Sequence, residues 1–186
     1  EIKAPTGYLV YDGTITLNIT KQLNGNKYEL KDATLDETST ASNYVRVEID
    51  QTSNTVTVIV IEKKITGEYN VKINKQNQKG EVLKDAIFTV DGNNYTTDEE
   101  GFATVASGVK ITEENLNNTD TYIMTEIKAP DGYVVYDGTI TLKVTKKLSN
   151  SAYVLDNATI EETIPSGNVT VSIRENTVDG KSTRLN

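Results

Sequence analysis

Apolar and polar residues alternate along most of this chain. Tyr69, Val71 and Ile73 share one face of a run, and Tyr122 and Met124 share another. Thr139–Val144, Val169–Ile173 and Val56–Val60 repeat the same two-residue period. That period belongs to half-buried strands, whose side chains point to opposite faces in turn. Turn-forming clusters separate the runs: Gln78-Lys79-Gly80, Asp91-Gly92-Asn93-Asn94, Asp98-Glu99-Glu100-Gly101, Pro130-Asp131-Gly132 and Asp137-Gly138. Ile111–Leu116 alone suggests a helical turn. Short strands punctuated by Gly and Asn predict an all-β, antiparallel β-sandwich.

The pattern also repeats on a larger scale. Residues 1–23 read EIKAPTGYLVYDGTITLNITKQL and residues 126–148 read EIKAPDGYVVYDGTITLKVTKKL, with five differences in 23 positions. The likeness continues more weakly from Tyr28–Leu35 to Tyr153–Ile160. The offset is 126 − 1 = 125 residues, which suits a whole domain rather than a solenoid unit. The expected organisation is a tandem array: residues 1–65 form the C-terminal half of a first repeat, and residues 66–186 form a second. Asn168-Val-Thr-Val-Ser-Ile-Arg-Glu is matched to Asn43-Tyr-Val-Arg-Val-Glu-Ile-Asp, and the second repeat is expected to lack a counterpart of the strand Thr55–Lys63. Open sandwich edges of this kind invite strand donation from another copy.

Composition narrows the chemistry. The chain has no cysteine and no histidine, which excludes disulfides, thiolate zinc sites, thiol nucleophiles and the commonest general base. A net charge of −8 with both signs interspersed argues against nucleic acid. No apolar run approaches the ~18 residues of a membrane span, and no signal peptide is seen at Glu1. No cofactor or metal is expected.

Three motifs in order carry a family resemblance. Residues 69–90, YNVKINKQNQKGEVLKDAIFTV, resemble the first two strands of collagen-adhesin B-repeat domains, also called CnaB, SpaA-like or prealbumin-like. Residues 95–105, YTTDEEGFATV, are similar to their next hairpin. Residues 122–133, YIMTEIKAPDGY, resemble the family's strand ending in Glu and its Ala-Pro-x-Gly-Tyr turn. The resemblance implies an Ig-like, prealbumin-like sandwich from an extracellular adhesin, pilus or fibre on the cell wall of a Gram-positive bacterium. It also implies an intramolecular isopeptide bond, in which a first-strand lysine attacks a last-strand Asn or Asp with help from a buried Glu. Carried over, the lysine is Lys75 and the glutamate Glu126, with Glu1 its repeat equivalent. The acceptor position falls on Glu62 in unit one, where the family has Asn or Asp; Asn176 is the alternative in unit two.

Strand parity supports two of these placements independently. Lys75 continues the face of Tyr69, Val71 and Ile73, and Glu126 continues that of Tyr122 and Met124, so both point toward the core. Burial would favour a neutral amine and a protonated acid, the pairing needed for amine attack. A buried Lys–Glu ion pair is the other reading of the same residues. Glu62 could likewise be an acceptor or a salt-bridge partner of lysine. On parity Asn176 faces away from Val169, Val171 and Ile173.

Other signals are read as structural. Gly180-Lys181-Ser182 lacks the first glycine of a phosphate loop and is read as a turn. Asp98–Gly101 lacks alternating calcium ligands and is read as a solvated hairpin turn. Tyr8, Tyr11, Tyr133 and Tyr136 are read as packing residues rather than a sugar-binding stripe. The leading functional reading is a stalk or spacer repeat whose partners are other repeats of the same protein; the alternative is a ligand-binding adhesin module for a host or matrix component. The only chemistry motivated is single-turnover self-crosslinking, not turnover of a substrate.

Overall fold

A computed structural model describes residues 1, 3–38, 45–164, 169–174 and 177–184. The chain divides into two compact units, Glu1–Ile65 and Thr66–Asn186. Every described element is a strand, so the all-β expectation holds. The segment 111–116 forms i to i+3 turns, Asn115 N–H to Thr112 O and Leu116 N–H to Glu113 O, and no helix.

Among the described residues, unit one holds two hairpins. Strands β1 (Ile15–Asn24) and β2 (Lys27–Glu37) pair antiparallel, as do β3 (Val45–Asp50) and β4 (Thr55–Val60). The Asn54 side-chain oxygen accepts the Leu30 N–H at 2.8 Å and ties the second hairpin to the first. Ala4, Leu30, Ala33 and Ile65 are its buried apolar residues.

Unit two is a two-layer sandwich. Its strands are β5 (Gly67–Asn77), β6 (Ile87–Val90), β7 (Asn93–Thr96), β8 (Phe102–Ile111), β9 (Asp120–Lys128), β10 (Thr139–Ser149), β11 (Ala152–Glu162), β12 (Val169–Arg174) and β13 (Thr177–Arg184). One sheet runs β11-β10-β9-β6-β7 and the other β12-β13-β5-β8. The period-two pattern becomes burial: Tyr69, Val71, Ile73, Phe88, Val90, Met124, Ile140, Leu142, Val144 and Val178 fill the space between the layers. The β6–β7 hairpin turns through Asp91 and Gly92, which both take positive φ, the combination that a twisted two-residue turn requires.

The repeated sequence folds as a repeated hairpin. Ile15 pairs with Glu37 and Ile140 with Glu162, and each hairpin slips register at the same place, Thr20/Lys21 and Thr145/Lys146. The same side chains at the same spacing produce the same bulge.

Two expectations are corrected. Unit two does have a closing strand, β13, which pairs antiparallel with β12 and parallel with β5. An offset of 125 would carry Val56 to Lys181, but its counterpart is Val178: Ile49 pairs with Val56, and Ile173 with Val178. Four residues separate the paired positions Asp50 and Thr55, whereas two separate Arg174 and Thr177, so the last strand arrives early. Gly180-Lys181-Ser182 accordingly lies within a strand rather than a turn. The β13–β5 pair is also the one parallel ladder among described strands that are otherwise antiparallel.

Candidate functional site

Lys75 sits on β5, a strand paired on both edges, and two backbone bonds hold it there. Its N–H donates to Gly101 O and its carbonyl accepts Leu83 N–H, each at 2.8 Å. Gly101 is constrained by this approach: its φ is +75°, and a Cβ there would lie 2.9 Å from the Lys75 carbonyl oxygen. Asp98 closes the preceding turn by accepting the Glu100 and Phe102 N–H groups. The Asp98–Gly101 segment is therefore a structural turn that frames the lysine.

Across the core, β9 presents Glu126. The Lys75 ammonium lies 2.9 Å from Glu126 Oε1 and 3.0 Å from Oε2, and neither side chain is exposed. Oε2 also accepts the Tyr136 N–H at 2.7 Å, which pins the Ala129–Tyr136 loop against the strand. The Phe88 ring lies 5.9 Å from the ammonium and adds a cation–π contact. Burying two charges costs several kcal/mol each, so the pair persists because each ion has a close partner and a further polar or π contact. It joins β5 of one sheet to β9 of the other.

Unit one holds the equivalent carboxylate in another setting. Glu1 Oε2 accepts Tyr11 N–H at 2.7 Å, position for position with Glu126 and Tyr136. Its neighbour is Glu62, the expected acceptor, rather than a lysine. The hydrogen bond from Tyr11, with that to Glu62, holds the Glu1 carboxyl below the usual carboxylate range. The same contact with Glu1 pushes Glu62 up.

The acceptor side of unit two is different again. The backbone partner of Lys75 on β13 is Ser182, flanked by Lys181 and Thr183. None of the three residue types carries a carboxamide or carboxylate. The one acidic residue of β13, Asp179, pairs with Lys72. Asn176 lies outside the described residues; the adjoining Thr177 pairs with Asn70, five positions from Lys75.

A second polar cluster was not anticipated. The Tyr69 hydroxyl donates to Asp120 Oδ2 at 2.5 Å and lies 2.8 Å from the Tyr122 hydroxyl. The fully buried Lys146 ammonium is 2.7 Å from the same Asp120 oxygen. Burial, reinforced by Asp120 and Tyr122, raises the Tyr69 hydroxyl far above the usual phenol range. Parity could have found this cluster, since Asp120 continues the face of Tyr122 and Met124, and Lys146 that of Leu142 and Val144. Of the four tyrosines read as packing residues, Tyr136 is buried, with its hydroxyl on Ile164 O, Tyr11 and Tyr133 are half-buried, and Tyr8 is exposed. No group of acidic residues suited to a metal occurs among the described residues.

A family match agrees with this architecture. The SpaA prealbumin-like fold domain family matches residues 69–159. The C-terminal fragment of the pilus adhesin SpaC from Lactobacillus rhamnosus GG is similar with a TM-score of 0.47 and 16% identity, over 98% of this chain and 72% of its own. The pilus adhesin RrgA from Streptococcus pneumoniae gives 0.41 and 14%, over 87% of this chain and 21% of its own. No curated protein sequence matches the chain. Over residues 69–159 the chain is similar to the SpaA prealbumin-like fold domains, the family its sequence motifs resemble.

Proposed function

We propose that this chain is part of the extracellular stalk of a Gram-positive surface adhesin or pilus, and that its units act as spacers. The carrying observation is the hairpin copied at an offset of 125 residues with register and bulge intact. A spacer can be duplicated without rebuilding a site. Deleting one unit from the parent surface protein should shorten its projection from the cell in electron micrographs and leave binding by the remainder unchanged. Loss of ligand binding on that deletion would mean the unit is itself a binding module.

Within the stalk, Lys75–Glu126 acts as a non-covalent tie between the sheets and turns over no substrate. What supports this is the β13 sequence beside Lys75, which offers Lys181, Ser182 and Thr183. The intact mass of the chain should equal the sequence mass. A deficit of about 17 or 18 Da, the signature of lost ammonia or water, would instead show condensation. The partners are other repeats. In unit two β10 is paired on both edges, by β9 and β11, whereas β1 is paired by β2 alone among the described strands. An edge paired on one side can take a strand from another copy.

A further inference from the structure

Tension along a stalk enters unit two at Thr66 and leaves beyond Arg184. Those two points lie at opposite ends of one strand pair. β5 begins at Gly67 and β13 finishes at Arg184, and the two run parallel, paired at eight positions from Asn70↔Thr177 to Asn77↔Arg184. Pulling the start of one parallel strand against the end of its neighbour slides them past each other. It does not open them from one end.

We propose that this pair is a mechanical clamp, loaded in shear, that makes unit two resist extension without a covalent crosslink. In shear, the evenly spaced bonds of a parallel ladder share the load and must yield together. In opening, they yield one at a time. Rupture under load is governed by the unfolding rate, so a geometry that loads all bonds at once raises the force needed.

Three further features strengthen the clamp. β5 is anchored in the core along its length, with Tyr69, Val71 and Lys75 at 0% exposure, and Val178 of β13 is buried to the same degree. β5 is also tied to the opposite sheet at two points, Tyr69 to Asp120 and Lys75 to Glu126. These points are six residues apart, about 20 Å along a strand, so sliding β5 must break both ties together. Finally, Gly67, where the load arrives, has no room for a side chain: a Cβ there would run into the Tyr153 carbonyl oxygen. Close backbone packing thus begins at the first residue of β5.

The direction of the load rests on the stalk reading, whereas the force needed to break the strand pair can be measured without it. The chain has no cysteine, so engineered cysteines can set the pulling direction in a single-molecule force measurement on the full chain. Thr66→Cys with a cysteine appended after Asn186 gives the end-to-end pull. Thr66→Cys with Thr177→Cys pulls the same two strands apart from one end. If circular dichroism shows that Thr177→Cys does not fold, Arg174→Cys replaces it, an exposed position at the same end of adjacent β12. The end-to-end rupture force should exceed the opening force by at least about twofold. Equal forces, or a weaker end-to-end pull, would overturn the clamp while leaving the unit-deletion result untouched. A strong clamp in a protein whose projection survives deletion would instead reject the stalk.

Discussion

The hairpins β1–β2 and β10–β11 have closely similar sequences, the same register and the same bulge, yet their side chains meet different surroundings. Tyr28 is 72% exposed and its counterpart Tyr153 is 3% exposed; Ile19 is 43% exposed and Val144 is fully buried. Lys21 is exposed, whereas Lys146 is buried on Asp120. Glu1 and Glu126 grip the same backbone N–H, but Glu1 faces a second carboxylate and Glu126 faces a lysine. Hairpin geometry is therefore set locally, by alternation and turn chemistry, while burial and charge partners are set by what packs against it.

The sharpest way to break this comparison is to truncate the same core position in both hairpins. Leu142→Ala should destabilise unit two by about 4 kcal/mol, because it leaves a cavity in a closed core. Leu17→Ala, half-buried in unit one, should cost about 1 kcal/mol. Hydrogen exchange by mass spectrometry resolves the two units, and similar losses in both would mean that burial does not distinguish them.

Next in size is the lysine tie. Lys75→Ala strands a buried carboxylate and should cost on the order of 3 kcal/mol in urea unfolding of unit two. An unchanged midpoint would remove the tie from any structural role. A smaller loss is expected at the second cluster. Lys146→Ala should cost about 2 kcal/mol, because Asp120 keeps some access to water, while Lys21→Ala should stay within about 0.5 kcal/mol. Equal effects at the two lysines would contradict the different environments.

The smallest effect is a titration. Glu62 is raised by its contact with Glu1, and Glu1 is lowered first by the Tyr11 N–H. Carboxyl resonances should show Glu62 titrating above Glu1, and Glu1→Gln should bring Glu62 down. The stability contributions have opposite signs. The raised Glu62 favours the folded unit at low pH, and this is lost as pH rises through its folded value. The lowered Glu1 favours it above the unfolded value, and this is lost as pH falls through the folded one. Coincident titrations of the two groups would separate them in space.

Much of the fold is legible in the sequence because strand parity is a strong signal when one face is apolar. Lys75 follows Tyr69, Val71 and Ile73, and Glu126 follows Tyr122 and Met124, so the alternation alone points both inward. β13 is illegible for the converse reason. In Thr177–Arg184 the single aliphatic residue is Val178, too little alternation to mark a strand, and its pairing with β5 lies about a hundred residues away in sequence. The Asp120–Lys146 pair escapes notice because a polar residue next to a loop, or beside a bulge, reads as solvent-facing when neighbouring strands are unknown. Parity says which way a residue points, but not what waits there.

One feature of the repeat bears on how such arrays change over generations. The glutamate at the head of the Ala-Pro-x-Gly-Tyr loop holds a backbone N–H ten residues on in both units, whether or not a lysine is its neighbour. Loop closure and charge pairing are thus separable uses of one carboxylate. A copied unit that loses its lysine keeps a reason to retain the glutamate, so the acid should drift more slowly than the base it faces. Retention of that glutamate is therefore a record of the loop, not a certificate of crosslinking.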